Sequence, residues 1–397
     1  MTSSGSVDFA LGGVVRIRIE AATDGDVAVV VRQIGPVQVP VEGDADIVLS
    51  FCDKIVTSVP LALVAVGESG ATDDAFYILS GKAKTPGKAA IAFDQIGSAC
   101  RIECERSLPA VPHLLAIINM TMLAKGVLPL HASAYVRDGV GVLVMGWAKG
   151  GKTELLLSQM EAGADYVGDE WVYVDPSREL FGVPEPIRLW RWHLQQLPGL
   201  AAKASRSAHL RMSGASLAAT TCSAAERTLG RSAAAGSVLR RAKGVLARQA
   251  YVQLSPRVLF SGRCLGSAKA DVLVWARSSE DPQISVSSAE PAQLAHSMLA
   301  SLDEERAPFL AAYRQFIYAF PDRRSPVIDN APELERQLLE KIVEDVPILR
   351  LDHPYPVDIA QMGDILEAHI VSRGTAPSIV AADSAAETGL GERRNHD

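Results

Sequence analysis

The sequence predicts a mixed α/β protein in which a β-rich N-terminal part precedes a larger α/β part. Two observations lead to this prediction. Residues 13–104 contain short runs rich in β-branched residues, separated by Gly, Asp and Pro turns, as in antiparallel sheets. Residues 139–175 alternate between an aliphatic run, a glycine-rich turn, a helical pattern and a second strand-like run. The 397 residues, 48% of them hydrophobic and 21% charged, have the composition of an ordinary globular protein.

The N-terminal part, residues 1–110, is predicted to be a β-rich subdomain. Its candidate strands are, in chain order, VVRIRIEA, VAVVVRQI, DIVLSF, AFYILSG, AAIAFDQ and CRIECE. Turn sequences such as ATDGD and TPGK separate these runs, which favours a mostly antiparallel arrangement.

The second part, residues 111–372, is predicted to be the α/β domain. Its first stretch, 111–130, is nearly long enough to span a bilayer but contains His, Asn, Lys and two prolines, so we expect a buried core helix. The predicted strands are GVGVLVM, YVGDEWVYVD, ADVLVWAR and VPILRLD. The predicted helices are TELLLSQMEAG, RLWRWHLQQL, PAQLAHSMLASL, APFLAAYRQFIYAF and VDIAQMGDILEAHI.

Charge and cysteine usage restrict the class of protein. The formal net charge of −7 favours neither a nucleic acid nor an anionic membrane as a partner. The odd number of cysteines, five, and the lack of a CxxC pair favour reduced thiols without a zinc site. The N-terminus, MTSSGSVDFALGG, has no basic segment followed by an apolar run, so we expect no signal peptide. We therefore expect a soluble cytoplasmic protein.

The glycine-rich turn carries a phosphate-binding pattern. Gly146, Gly151, Lys152 and Thr153 satisfy G-x-x-x-x-G-K-[ST], with a predicted strand before and a predicted helix after. Backbone N–H groups would hold phosphate oxygens, the lysine would neutralise the outer phosphates, and the threonine hydroxyl would contact Mg²⁺. We therefore predict ATP and Mg²⁺ as cofactors. The predicted nucleotide-binding residues are Gly146, Trp147, Ala148, Lys149, Gly150, Gly151, Lys152, Thr153 and Glu154.

Two adjacent acids follow the predicted helix. Asp169 and Glu170, in GDEW, come one helix and one turn after Thr153, so both carboxylates can return to the mouth of the turn. One carboxylate can contact Mg²⁺, together with Thr153, while the other accepts the proton of an attacking hydroxyl or water. Two exposed acids at the edge of a strand are the alternative.

The stretch LHASAYVRDGVGVLVMGWAKGGKTELLLSQMEAGADYVGDEWVYVD resembles the catalytic domain of HPr kinase/phosphorylase and related proteins. The resemblance includes His131, 15 residues before Gly146, Gly163, ten residues after Thr153, and the acid pair. It implies a P-loop fold like that of phosphoenolpyruvate carboxykinase. It also implies Asp169 as the general base, His131 beside it, and Glu170, in the place of the family's second Asp, as a Mg²⁺ contact with Thr153.

The remaining candidates lie outside this stretch. Arg188 is a candidate phosphate or acceptor contact, with a structural ion pair as the alternative. Residues 199–263 contain eleven Lys or Arg and one acid, which favours a lid or acceptor-docking insertion that brings an arginine to the γ-phosphate. Arg240, Arg241 and Arg263 are the candidates for that arginine. A poorly ordered insertion with a solvated charged face is the alternative, and residues 373–397 are predicted to be a disordered tail.

The predicted function is transfer of the γ-phosphoryl group of ATP to a hydroxyl in a peptide, protein or small metabolite, and a serine hydroxyl is the expected acceptor. The predicted catalytic residues are Asp169, His131 and Lys152. A non-catalytic nucleotide-binding regulator and an NTP hydrolase are the two alternatives. The resemblance also raises a homo-oligomer as a candidate assembly.

Overall fold

In a computed structural model the chain forms a mixed α/β structure. The residues that it describes are 5–39, 43–80, 86–215, 218 and 251–372. The predicted tail and the candidates Arg240 and Arg241 lie outside these residues. No helix in the described ranges combines the length and apolar character that crossing a bilayer requires.

The N-terminal sheet has eight strands in the order β1-β2-β3-β8-β7-β6-β5-β4. All neighbours pair antiparallel except β3, which runs parallel to both β2 and β8. The strands are β1 (Val7–Leu11), β2 (Val15–Glu20), β3 (Ile47–Cys52), β4 (Ala62–Ala65), β5 (Ser69–Ala71), β6 (Phe76–Ser80), β7 (Gly87–Ile91) and β8 (Cys100–Glu105).

One predicted strand of this part is a helix. VAVVVRQI belongs to α1 (Asp24–Ile34). The hydroxyl of Thr23 accepts a hydrogen bond from the backbone N–H of Asp26, and the Asp26 carboxylate accepts one from the backbone N–H of Thr23. This capping box begins the helix, while Val30 and Ile34 bury one face of it. The valine run alone wrongly indicated a strand.

The α/β part contains a six-stranded sheet of order β12-β10-β11-β18-β20-β19. Its three central strands, β11, β18 and β20, are parallel, so their carboxyl ends meet at one edge. The strands are β10 (Ser133–Arg137), β11 (Val140–Met145), β12 (Asp165–Gly168), β18 (Val272–Ser279), β19 (Ser285–Ser288) and β20 (Ile348–Pro354).

The α/β part also contains two smaller sheets, whose strands alternate along the chain with those of the six-stranded sheet. One has the order β17-β14-β13-β9, and the other pairs β15 with β16. Their strands are β9 (Leu128–His131), β13 (Trp171–Val174), β14 (Glu179–Gly182), β15 (Ile187–Trp190), β16 (Tyr251–Leu254) and β17 (Ala268–Lys269). The predicted strand YVGDEWVYVD is therefore two strands, β12 and β13, which belong to different sheets.

The helices of the α/β part connect and cover these sheets. They are α2 (Leu114–Ala124), α3 (Lys152–Glu161), α4 (Arg191–Gln196), α5 (Pro198–Ala201), α6 (Pro256–Phe260), α7 (Pro291–Ala319), α8 (Pro326–Asp329), α9 (Ala331–Ile342) and α10 (Ile359–Ser372); residues 206–215 are helical as well. The two helices predicted within 291–320 are one helix, α7, with Pro308 inside it. Proline deprives the carbonyl of residue 304 of its helical partner, but Glu304 lies on the exposed side, where water can replace that hydrogen bond.

One hydrophobic cluster joins the N-terminal sheet to the α/β part. Phe76 and Phe93, from the N-terminal part, pack against Phe316 of α7, with ring centroids 5.7 and 5.4 Å from it. Phe93 also stacks on Phe309 at 5.7 Å. A second cluster lies between the six-stranded sheet and helices α3 and α10. The two parts therefore share apolar core, and α7 lies in that shared region.

Candidate active site

The glycine-rich turn lies between β11 and α3, at the carboxyl edge of the parallel strands. Gly146 and Gly151 are required by close packing, because a Cβ on Gly146 would lie 2.3 Å from the carbonyl oxygen of Ala276. A Cβ on Gly151 would lie 2.3 Å from Nε2 of His353. That buried ring, from the end of β20, lies 2.9 Å from the carbonyl oxygen of Gly150. The turn therefore packs directly against residues of two parallel strands, β18 and β20.

Lys152 begins α3 with its side chain folded back over the turn. Its ammonium donates to the carbonyl oxygens of Gly146 at 3.0 Å and Trp147 at 2.9 Å. The side chain is 5% exposed, and burial lowers the pKa of this amine, although nearby carboxylates oppose the effect. The backbone of Lys152 is held by Ser133 of β10, whose hydroxyl donates to the Lys152 carbonyl at 2.9 Å.

Thr153 and Asp169 are in direct contact. The hydroxyl of Thr153 lies 3.1 and 3.2 Å from the two carboxylate oxygens of Asp169. Asp169 is only 4% exposed, and burial together with the neighbouring charge of Glu170 raises the pKa of its carboxyl to about 7. A carboxyl that titrates near neutral pH can both accept and release a proton.

Glu170 points to a different partner. Its carboxylate lies 3.1 Å from Nε2 of His131, while Nδ1 of the same ring lies 2.5 Å from the carboxylate of Glu305 in α7. Burial disfavours the charged ring, but the hydrogen bonds to both carboxylates raise the pKa of His131 to about 9. The hydrogen bond from His131 in turn lowers the pKa of Glu170. His131 is therefore a cation between two anions at neutral pH.

The backbone explains why the two adjacent acids separate. Asp169 and Glu170 lie where the chain leaves β12 and enters β13, which belong to different sheets. Glu170 adopts a left-handed conformation, with φ of 64°. Trp171 then pairs with His131 across β13 and β9, which brings the histidine next to Glu170. The resemblance implied His131 beside Asp169, whereas its direct contacts are with Glu170 and Glu305.

The site contains ionisable groups that the sequence did not single out. Glu305 comes from a helix 174 residues away from His131, and no local pattern marks it. The ring of His193 lies 3.3 Å from the carboxylate of Glu154 and is 2% exposed. Glu185 has a buried carboxylate oxygen with no hydrogen-bond partner, and burial raises its pKa to about 8. The neighbouring charges of Glu170 and Asp169 contribute to this raised pKa as well.

The glycine-rich turn and the acid pair border a cavity of about 240 Å³, which we call the phosphate cavity. Its walls include the turn, Lys152, Thr153, both acids and His131. Arg188 and Trp190 of β15 and His193 of α4 also line it. The structure thus gathers most of the predicted site residues, including Arg188, around one cavity.

Arg263 is placed elsewhere, which corrects one expectation. Its guanidinium donates to the carbonyl oxygens of Met160 and Ala164, both at 3.0 Å, at the carboxyl end of α3. That end lies about 15 Å along the helix from Lys152. Other described basic residues of the segment are also tied to backbone carbonyls: Lys203 to that of Leu259 and Arg211 to that of Tyr251. In the described part of the segment, these three cations satisfy carbonyl groups.

The oxygen donors at the start of α3 fit Mg²⁺. The described residues contain no cluster of three or more His, Cys, Asp or Glu side chains arranged to hold a metal ion. Mg²⁺, however, is usually held by one or two carboxylates together with phosphate and water oxygens. The adjacent oxygens of Thr153 and Asp169 supply that kind of donor, whereas Glu170 is engaged by His131.

Comparisons with known proteins do not assign the chain. No protein-family model matches it, and a search of the curated proteins finds no match. Its function is therefore argued from the geometry of the site.

Proposed function

We propose that the protein is an ATP-dependent kinase that transfers the γ-phosphoryl group to a hydroxyl, that of a serine in a peptide, protein or small metabolite. The observation that carries this proposal is the buried Asp169 carboxyl, with a pKa of about 7, in contact with Thr153 at the first turn of α3. This arrangement supports an acid–base group beside the outer phosphate of a bound nucleotide.

Each side chain has a role in the proposed reaction. The backbone of the turn and the ammonium of Lys152 hold the β- and γ-phosphates. The acceptor oxygen forms a bond to the γ-phosphorus as the bond to the bridging oxygen of ADP breaks, and Asp169 takes the hydroxyl proton. Arg188 and Trp190, which also line the cavity, contact the incoming acceptor. The cationic His131 neutralises Glu170, which limits repulsion between this carboxylate and the phosphates.

Mg²⁺ has a place in this proposal. Thr153 and one carboxylate oxygen of Asp169 would hold it. When bound, the ion neutralises charge on the β- and γ-phosphate oxygens.

We also propose that the fold is that of the P-loop kinases of the HPr kinase and phosphoenolpyruvate carboxykinase type. The strand–turn–helix unit and the acid pair where the next strand begins support this assignment. A cytoplasmic location is proposed as well, since the described cysteines, Cys52, Cys100, Cys104 and Cys264, are all free thiols.

The test is ADP formation by the full chain with ATP and Mg²⁺, in the presence and absence of serine peptides and hydroxyl metabolites. We expect turnover that depends on the acceptor. Asp169→Asn is expected to lower kcat by about 10²- to 10⁴-fold, because it removes the general base, while the affinity for ATP measured without Mg²⁺ changes little. Asp165→Asn, at the start of the strand that Asp169 directly follows and outside the cavity, is the matched control and should retain activity.

The other outcomes assign different functions. Phosphate release without any acceptor would make the protein an NTP hydrolase. Tight ATP binding without turnover would make it a nucleotide-binding regulator. Near wild-type kinase activity in Asp169→Asn would remove the general-base assignment.

A further inference from the structure

A second cavity adjoins the glycine-rich turn. It has a volume of about 560 Å³, within the range of small-molecule and cofactor sites. Residues 148–150 of the turn line both this cavity and the phosphate cavity, and the other lining residues of the two cavities differ. The turn is therefore a shared wall, so a molecule held by the turn can extend from one cavity into the other.

The second cavity lies at the carboxyl edge of the parallel strands. Trp275 and Arg277 belong to β18, where Trp275 pairs with Met145, the last residue of β11, and Tyr355 directly follows β20. Met298, from α7, forms another part of the wall. Crevices at the carboxyl ends of parallel strands are where open α/β sheets bind their ligands. The position is therefore that of a ligand site rather than of a packing defect.

The walls of this cavity are rich in aromatic rings. The side chain of Trp147, in the turn, is 51% exposed, and that of Tyr355 is 63% exposed. A third ring, that of Trp275, has the guanidinium carbon of Arg277 4.9 Å from its centroid. Exposed rings around a cavity offer flat apolar faces on which a planar heterocycle can stack.

We propose that this cavity, which we call the base pocket, holds the nucleobase and ribose of the phosphoryl donor. The inference rests on the proposed function, because it takes the phosphates to lie in the turn. It goes further by assigning the nucleoside to Trp147, Tyr355 and Trp275. Stacking on these rings favours the larger purine rings over pyrimidines. The nucleoside and the acceptor then occupy different cavities, on either side of residues 148–150.

The test compares ligands that share the phosphates but differ in the base. The Kd of the full chain, with Mg²⁺, is measured for ATP, GTP, CTP and inorganic tripolyphosphate. We expect ATP and GTP to bind at least about tenfold more tightly than tripolyphosphate, as expected for stacking on aromatic side chains, with CTP in between. Trp147→Ala is expected to weaken ATP binding roughly tenfold and to leave tripolyphosphate binding unchanged.

A matched pair of variants controls for nonspecific effects. Tyr355→Leu should weaken ATP binding, whereas Tyr318→Leu, at an exposed tyrosine outside both cavities, should not. Equal affinity of the wild type for ATP and tripolyphosphate would overturn the base pocket while leaving the phosphate site in place. Equal weakening of both ligands by Trp147→Ala would also overturn it. Failure of both ligands to bind would instead refute the proposed function, and the base pocket with it.

Discussion

At the level of single residues, His131 is defined by its two carboxylate partners. With Glu170 on one ring nitrogen and Glu305 on the other, both N–H groups donate and the pKa of the ring is about 9. A ring that stays protonated at neutral pH cannot serve as a general base there. Its effect on the proposed chemistry is therefore electrostatic, and Glu305 acts through it as a positioning residue.

Replacement of Glu305 by Gln tests this chain of contacts. The amide retains a hydrogen-bond acceptor but removes one negative charge, so we expect the pKa of His131 to fall by about one unit or more. Glu170 should then lose its cationic partner at lower pH, and the alkaline limb of the kcat–pH profile should move in the same direction. The measurement is the titration of the His131 ring by NMR together with the pH profile of activity.

Glu304→Gln is the control for that experiment, since it makes the same change at the preceding, exposed position of α7. It should alter neither the His131 titration nor the pH profile. A His131 pKa that remained near 9 in Glu305→Gln would show that the carboxylate does not stabilise the imidazolium.

The Asp169 carboxyl makes stability depend on pH. Its pKa of about 7 in the folded protein lies above its ordinary value of 3.8, so the folded state binds the proton more strongly than the unfolded state. This group therefore contributes stability below about pH 4 that is lost as the pH rises towards 7. The Asp169→Asn variant has no carboxyl at this position, so it does not lose stability in this way as the pH rises. Relative to the wild type, the free energy of unfolding of the variant should rise by about 1–4 kcal/mol between pH 4 and pH 8.

The measurement is denaturant unfolding of both proteins at the two pH values. Nucleotide and divalent cations are left out, because a bound cation would lower the pKa of Asp169. A difference between the proteins that did not change with pH would contradict the raised pKa.

At the level of elements, local patterns predicted the site better than they predicted the strand boundaries. The glycine turn, its helix and the acid pair follow from spacing within 45 residues, and the structure brings them together. The valine-rich run after Thr23 was wrongly predicted to be a strand. Its eight residues favour a strand by composition, and the capping box that begins a helix lies just before them. The chain changes sheets at GDEW because β13 pairs with β9. The sequence around GDEW alone does not predict that pairing.

For the same reason, the sequence did not predict contacts between residues that lie far apart in the chain. Glu305 of α7 contacts His131, and His353 of β20 contacts the turn. Both come from far along the chain, and neither belongs to a motif. Arg263 is one of three candidates that the basic segment offers for a phosphate contact, whereas in the structure it donates to carbonyl groups at the carboxyl end of α3. Charge predicted that this segment contains cations but not where each cation binds.

At the level of the whole molecule, the N-terminal sheet and the α/β part depend on a common core. Phe76 and Phe93 cover Phe309 and Phe316 of α7, and Arg323 pairs with Asp94 at 3.0 Å. We expect a fragment of residues 111–372 to expose this apolar face and to aggregate or to unfold well below the midpoint temperature of residues 1–372. Thermal unfolding and size-exclusion chromatography of the two chains provide the measurement. A monomeric fragment of equal stability would show that the N-terminal sheet is dispensable for folding.

Helix α7 extends for 29 residues, about 44 Å. Met298, in the first third of the helix, lines the base pocket. Glu305, two turns further along, contacts His131, and Phe316, near the end, packs against Phe76 of the N-terminal sheet. The same helix therefore borders the base pocket, contacts His131 and packs on the N-terminal sheet. A shift of α7 on filling of either cavity would consequently reach its aromatic contacts with the N-terminal sheet.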